Sequence, residues 1–524
     1  MCINSLIKCI EARTRALGYH YCNTLKPRHW FQFADDTALV TATEEENQMM
    51  LNAFSKWCNW SGLQIRTDKC KTFGIKHNGR RSTQYKPYLK VNNEMIPPVE
   101  IDGSFRYLGK MFSYTMGTDE IRNELEEELT SYLDKVDKLS LHPKNKLLII
   151  NKFVYNKLRW RLSVYHLSES WATKSLDGKV IHYVKRWSHF HQGANLTHLK
   201  LSVSKFGLGF QLPSDVLKYC KLSMRQVLFK SINKEIQDLF HLTSGSYIHT
   251  DSLIVNCEGR PGKELSNQIE NNVLEHITTL KEQGTIMQIM RRVSSTKIIS
   301  LWNKITVSMP KNIYVFIRKA LIFSLPNNSN LKRWGNVESD SCGVCGTQRQ
   351  TQLLMLANCS VAATEGRYTW RHDSILFTLL QFLSQLSLYG FELYGDLDGY
   401  RRTSEIFQTF RPDIALIKNG VLYVIELTCC FETNAEKSRE YKQAKYRTLQ
   451  QDSKDRWRGF QFFTIEITSL GIVTSHFEDI EVLFKGTNIN FQRMISKCME
   501  VVMRASFYIY IRRNKEWTNP NIYT

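Results

Sequence analysis

The sequence predicts a multidomain protein in which α/β parts flank an all-α part. Three observations predict it. Residues 1–115 mix short strand-like runs with helical stretches, residues 116–330 read mainly as helix, and residues 396–475 alternate strands with a charged helix. A small cysteine segment at 342–359 precedes the last region.

Composition sets the frame for these elements. A chain of 524 residues predicts three or four domains at roughly 150 residues each. With 42% hydrophobic and 12% aromatic residues it has the material for packed cores, which excludes a disordered protein. The net charge of +20 and pI of 9.3 call for a polyanionic partner. Nucleic acid is the expected one, because phosphate neutralisation by Lys and Arg dominates such affinity; an anionic membrane is the weaker alternative. No run of about eighteen apolar residues predicts a membrane span, and Met1-Cys2-Ile3-Asn4 lacks a basic-then-apolar signal pattern. The 13 cysteines are odd in number and mostly scattered, which predicts free thiols in an intracellular, reducing compartment.

In chain order, His29-Trp30-Phe31-Gln32-Phe33-Ala34 and Thr37-Ala38-Leu39-Val40-Thr41 read as two strands with Asp35 and Asp36 in a tight turn between them. Aspartate in a turn is ordinary. Two adjacent carboxylates at an exposed tip also suit a divalent metal. A helix is expected over 44–62, and a long amphipathic one over 120–141, carried by Leu125, Leu129, Leu133, Val136 and Leu139 and ended by Pro143. A second helical block, 152–187, interleaves Trp and Tyr with Lys and Arg. That pattern fits a nucleic-acid groove and equally a Trp-rich core with snorkelling cations. Residues 324–338 are turn-rich and read as a linker, and 374–388 as a helix.

Cys342, Cys345 and Cys359 form a C-x2-C pair with a third thiol, three of the four ligands of a zinc site. Zn²⁺ and three buried thiols without metal both remain open. The next hairpin is the most informative for geometry. Asn419-Gly420 is a strong two-residue turn signal between Arg411-Pro412-Asp413-Ile414-Ala415-Leu416-Ile417 and Val421-Leu422-Tyr423-Val424-Ile425-Glu426-Leu427. Counting outward pairs Lys418 with Val421, Ile417 with Leu422, Ala415 with Val424 and Asp413 with Glu426. Two opposed carboxylates in an apolar hairpin need a cation or a shared proton, and a divalent metal answers that need. The alternative is a solvated strand end. A charged helix over 434–449 follows, from which a lysine reaching back to the metal could hold a phosphate, while for any single lysine a solvated helix face is the stronger reading.

These motifs, in this order, resemble one family. Phe33-Ala34-Asp35-Asp36, Lys69 and Tyr107-Leu108-Gly109 resemble the later half of a reverse-transcriptase palm. The resemblance implies that Asp35 and Asp36 hold Mg²⁺ in a two-metal site, that Lys69 lies near the incoming nucleotide, and that Tyr107 and Gly109 grip the primer. The blocks at 158–187, Gly207-Leu208-Gly209-Phe210 and Leu325-Pro326-Asn327-Asn328-Ser329-Asn330-Leu331-Lys332-Arg333-Trp334 resemble the thumb and following segment of retrotransposon reverse transcriptases. The cysteines resemble their Cys-Cys-His-Cys knuckle, with Leu354 at the histidine position and His372 as a substitute at the wrong spacing. Asp413, Glu426, Lys442, Lys445 and Tyr446 resemble a restriction-enzyme-like endonuclease whose lysine has moved to the following helix; Thr428 occupies the usual lysine position.

Together they resemble the non-LTR retrotransposon protein that nicks chromosomal DNA and reverse-transcribes element RNA from the nick. The implied layout is the C-terminal half of a palm at 1–115, a helical thumb at 116–240, a helical connector at 241–340, a knuckle-like segment at 341–373 and the endonuclease at 374–510. Implied partners are an RNA template and a duplex DNA target, and the implied location is nuclear. No aspartate precedes Asp35 and the only earlier acid is Glu11, so the expectation is an N-terminally truncated chain with an incomplete polymerase site and a more complete nuclease site. A decayed or repurposed, non-catalytic nucleic-acid-binding protein is the rival reading.

Overall fold

Residues 5, 6, 8, 10, 12, 17–20, 27–453 and 456–520 are described in this computed structural model; Glu11 lies outside them. They gather into two units, each described by itself: residues 1–129, 156–172 and 217–258 form one, and residues 130–155, 173–216 and 259–524 the other.

The first unit is built from short antiparallel hairpins: β1 (Trp30–Phe33) with β2 (Asp36–Leu39), β3 (Gly74–Asn78) with β4 (Arg81–Tyr85), β5 (Lys90–Val91) with β6 (Glu94–Met95), and β7 (Ser104–Tyr107) with β8 (Lys110–Ser113). Its best-defined helix is Glu44–Ser61. Thr43 caps it by accepting the Glu46 N–H, three glutamates occupy its positive first turn, and Gly62 ends it at φ 74°. Met50, Ala53 and Trp57 recur at helical spacing and are buried. Met50, Trp57 and Cys58 form a small core with Leu6 and Ile10, and Trp30, Leu39 and Phe54 pack against it.

Two expectations about the middle of the chain change. The amphipathic helix runs over Asp119–Asp137, with Ile121, Leu125, Leu129, Leu133 and Val136 buried, but it stops before Leu139, which is exposed. Pro143 does not end it. It opens the next helix, Pro143–Ile149, at the first turn, where a missing N–H costs nothing. Residues 324–338 are not a free linker either. Leu325 is fully buried, and buried Asn327 caps the short helix Asn328–Arg333 by accepting the Asn330 N–H. Its apolar and capping residues are spent on packing.

The second unit holds the main core, and its C-terminal part is a three-layer α/β arrangement. The sheet has the order β12 (Gly459–Thr468), β11 (Val421–Cys430), β10 (Ile414–Lys418), β9 (Glu392–Gly395). β12 runs parallel to β11, while β10 is antiparallel to both its neighbours. Period-two alternation splits the side chains between two faces. Ile414, Leu416, Ile425, Leu427, Ile465 and Ile467 join the core that includes helices Arg367–Leu383 and Phe491–Ile511. Ala415, Leu422 and Val424 pack on the other side with Tyr446 and Leu449, which directly follow helix Ala435–Lys445. No helix among the described residues is long and apolar enough to cross a membrane.

Candidate nucleic-acid-processing sites

In the first hairpin Phe33 pairs with Asp36, so the two-residue turn is Ala34-Asp35 and Asp36 opens β2. The two aspartates therefore do not share the turn: an unbroken ladder leaves room for only one of them. Ala34 sits at φ 54°, the left-handed sign that the first position of a type II′ turn requires. Both carboxylates are exposed. Tyr107, at the end of β7, donates its hydroxyl to the Phe31 carbonyl at 3.4 Å. Burial, and then the Asp36 charge, raise its pKa. Leu108 and Gly109 form the β7–β8 turn at φ 48° and 78°, the two positive angles of a type I′ turn. A Cβ on Gly109 would lie 2.9 Å from the Trp160 Nε1. The structure thus brings Tyr107 and Asp36 together. Lys69 is exposed at the end of the 3-10 turn Thr67–Lys69, and among the described residues no hydrogen bond or ion pair joins it to either aspartate.

The second hairpin follows the turn arithmetic: Lys418 pairs with Val421, Ile417 with Leu422 and Ala415 with Val424, with Asn419 and Gly420 at φ 52° and 78°. Just beyond the last pair, the Asp413 N–H donates to Glu426 Oε2 at 3.2 Å and the Leu427 N–H donates to Asp413 Oδ2 at 2.8 Å. Glu426 is only 2% exposed. Burial and the Asp413 charge raise its pKa, against the pull of the Lys442 ammonium. Lys442 reaches it from helix Ala435–Lys445 and donates to Glu426 Oε1. Lys445 donates to the Tyr446 hydroxyl at 3.3 Å, and that hydroxyl donates to the Arg411 carbonyl at 3.1 Å. Tyr446 is buried, so it supports the strand that carries Asp413 instead of facing solvent.

One residue was placed elsewhere by sequence. His372 is not beside the cysteines. From helix Arg367–Leu383 its Nε2 lies 3.5 Å from Asp413 Oδ1, and its Nδ1 lies 3.0 Å from Asp373 Oδ1. Burial alone would lower its pKa, but the hydrogen bonds to Asp373 and Asp413 overturn that and hold it up to about 10. A histidine 41 residues before its carboxylate gives no local signal; only the packing of helix Arg367–Leu383 on β11 brings it there. Lys442 and His372 come from helices on opposite faces of the sheet and converge where the central strands β10 and β11 carry Asp413 and Glu426.

The oxygen donors of Asp413 and Glu426 fit a hard divalent ion such as Mg²⁺, since the buried Glu426 carboxylate already takes a cationic partner. The exposed carboxylates of Asp35 and Asp36 offer the same donor type in the open. The three thiols of Cys342, Cys345 and Cys359 lie within 4.8 Å of one another, a spacing that suits tetrahedral thiolate ligation of Zn²⁺. Backbone N–H groups of Gln348 and Thr347 bring the Cys345 thiol down to about 7. Leu354 is buried in the same cluster as Cys342 and Cys359. The side chain packed beside these thiols at position 354 is thus apolar.

Comparison with known proteins places this geometry in context. Residues 1–112 match the family model described as reverse transcriptase (RNA-dependent DNA polymerase). The chain is 24% identical over 179 residues, 34% of its length, to the Retrovirus-related Pol polyprotein from type-2 retrotransposable element R2DM of Drosophila melanogaster. It is 20% identical over 359 residues, 67% of its length, to the Pol polyprotein from type-1 retrotransposable element R2 of Nasonia vitripennis, and 25% identical over 160 residues, 30% of its length, to that of Popillia japonica. It spans 17, 33 and 22% of those curated relatives' own lengths. The N-terminal end of the chain is therefore similar to reverse transcriptases, and the chain is similar to the Pol polyproteins of R2 retrotransposable elements.

Proposed function

We propose that this chain is part of a non-LTR retrotransposon protein that couples a metal-dependent DNA endonuclease, at residues 374–510, to reverse transcription of element RNA. The palm, thumb, connector and knuckle-like segments would occupy 1–115, 116–240, 241–340 and 341–373. The observation that carries the nuclease reading is the convergence of Asp413, Glu426 and Lys442. Asp413 and Glu426 would hold Mg²⁺, which supplies charge neutralisation at the scissile phosphate and a more acidic water. Lys442 would turn from Glu426 to a phosphate oxygen once the carboxylates have another cation. His372, cationic at neutral pH, holds Asp413 in place. Tyr446 braces the strand start through the Arg411 carbonyl.

For polymerisation, Asp35 and Asp36 would hold the Mg²⁺ ions, Lys69 would meet the nucleotide, and Tyr107 and Gly109 would seat the primer strand. Zn²⁺ at Cys342, Cys345 and Cys359 would hold a nucleic-acid contact in shape. RNA template and duplex DNA would be the partners, and the nucleus the place of action. The test is cleavage of an end-labelled duplex with and without Mg²⁺. Wild type should cut only with the ion, and Glu426→Gln, folded by circular dichroism, should not. Equal cutting by both chains overturns the reading.

A further inference from the structure

Helix Ala435–Lys445 presents more than Lys442. At about 100° per residue, a walk round its surface from Lys442 meets Lys445 after about 60°, Tyr441 after about 100° and Lys437 after about 140°. Lys442 is at the buried edge, on Glu426; Tyr441 is 67% exposed, and Lys437 and Lys445 are exposed as well. Along the axis Tyr441 lies about 6 Å from each of Lys437 and Lys445. An aromatic ring midway between two cations, beginning at the site edge, has the composition of a single-strand platform: charge follows phosphates while a ring stacks on a base. The 12 Å or so between the lysines corresponds to three or four stacked nucleotides at about 3.4 Å each.

We propose that Lys437, Tyr441 and Lys445 dock an unpaired DNA strand beside the Asp413–Glu426 site, with Tyr441 stacking on a base. Within a duplex target, the strand at the cleavage position would then be held locally opened against this helix. This rests on the endonuclease reading, but its test needs no cleavage. Binding of a fluorescein-labelled 20-nucleotide single strand, and of the same sequence as duplex, is measured in EDTA. A 2-aminopurine within the strand reports stacking directly.

Tyr441→Ala should weaken single-strand binding about tenfold, within the range for one stacked base, and duplex binding less than twofold. Tyr441→Phe should bind like wild type and quench 2-aminopurine as wild type does. Lys437→Ala and Lys445→Ala should each reduce the log–log salt slope by about 0.7. Unchanged 2-aminopurine quenching with Tyr441→Ala, equal losses on single strand and duplex, or a Phe variant as weak as Ala would overturn the proposal. A Tyr441-dependent strand with no nicking by wild type would instead keep the platform and overturn the nuclease.

Discussion

Replacing Lys442 by methionine removes the cation from a buried carboxylate pair while keeping most of the packed side-chain length. Glu426 is 2% exposed and Asp413 13%, and they already share a hydrogen bond across the hairpin. Breaking a fully buried pair by removing one partner costs 3–5 kcal/mol as a rule, because a charge is left unpaired; with the Lys442 side chain 22% exposed, solvent screening reduces this to about 2 kcal/mol. The opening free energy of β10 and β11 should fall by that amount. Amide hydrogen exchange of Ala415 and Val424, which is limited by local opening, should therefore accelerate about 30-fold. Adding Glu426→Gln to Lys442→Met should restore most of the protection, because the neutral amide no longer needs the ammonium. Mg²⁺ should protect the Lys442→Met chain more than wild type, since the buried Glu426 carboxylate then has lost its own cationic partner. Unchanged exchange in Lys442→Met, or a double variant worse than the single one, would refute the claim that Lys442 compensates the pair.

Other consequences test separate parts of the account. Gly109→Ala must hold φ 78° and place a Cβ 2.9 Å from Trp160 Nε1, so thermal unfolding should show a loss of about 1–2 kcal/mol; Trp160→Ala should relieve only the contact and leave the backbone cost. Leu354→His puts an imidazole among Cys342, Cys345 and Cys359. It should raise Zn²⁺ affinity at least tenfold and give a tetrahedral Co²⁺ absorption band, and an unchanged affinity would place the cysteines outside a metal site. Buried His198 is held down to about 3 by burial and the nearby Arg318, from an ordinary 6.5. The unfolded chain takes up this proton first, so stability present above the ordinary value is lost as pH falls. Between pH 6.5 and 5 the loss is about 2 kcal/mol, readable as a slope in urea unfolding that His198→Gln should flatten.

Much of the second site was legible because turn chemistry fixes register. Asn419-Gly420 takes two positive φ angles readily, and every pairing outward to Asp413 and Glu426 follows by counting. Helix Glu44–Ser61 was legible for a similar local reason, since Thr43 and Gly62 mark its ends. What stayed hidden depends on long-range packing. His372 meets Asp413 through the seating of a whole helix. The parallel partner β12 is chosen by crossover topology, and the end of helix Asp119–Asp137 by where burial stops and not by Pro143. Leu325 and Asn327 look like linker residues until the core that receives Leu325 is assembled. In the first hairpin a one-residue difference in turn placement separated Asp35 from Asp36, which pattern reading alone does not resolve.

The central claim is that Asp413 and Glu426 form a cutting centre for DNA. The direct test is conversion of supercoiled plasmid to the open circle by the purified chain in Mg²⁺, beside Asp413→Ala and an Asp35→Ala, Asp36→Ala chain. The account predicts nicking by wild type and by the Asp35, Asp36 variant, and none by Asp413→Ala. Nicking that survives Asp413→Ala would contradict it.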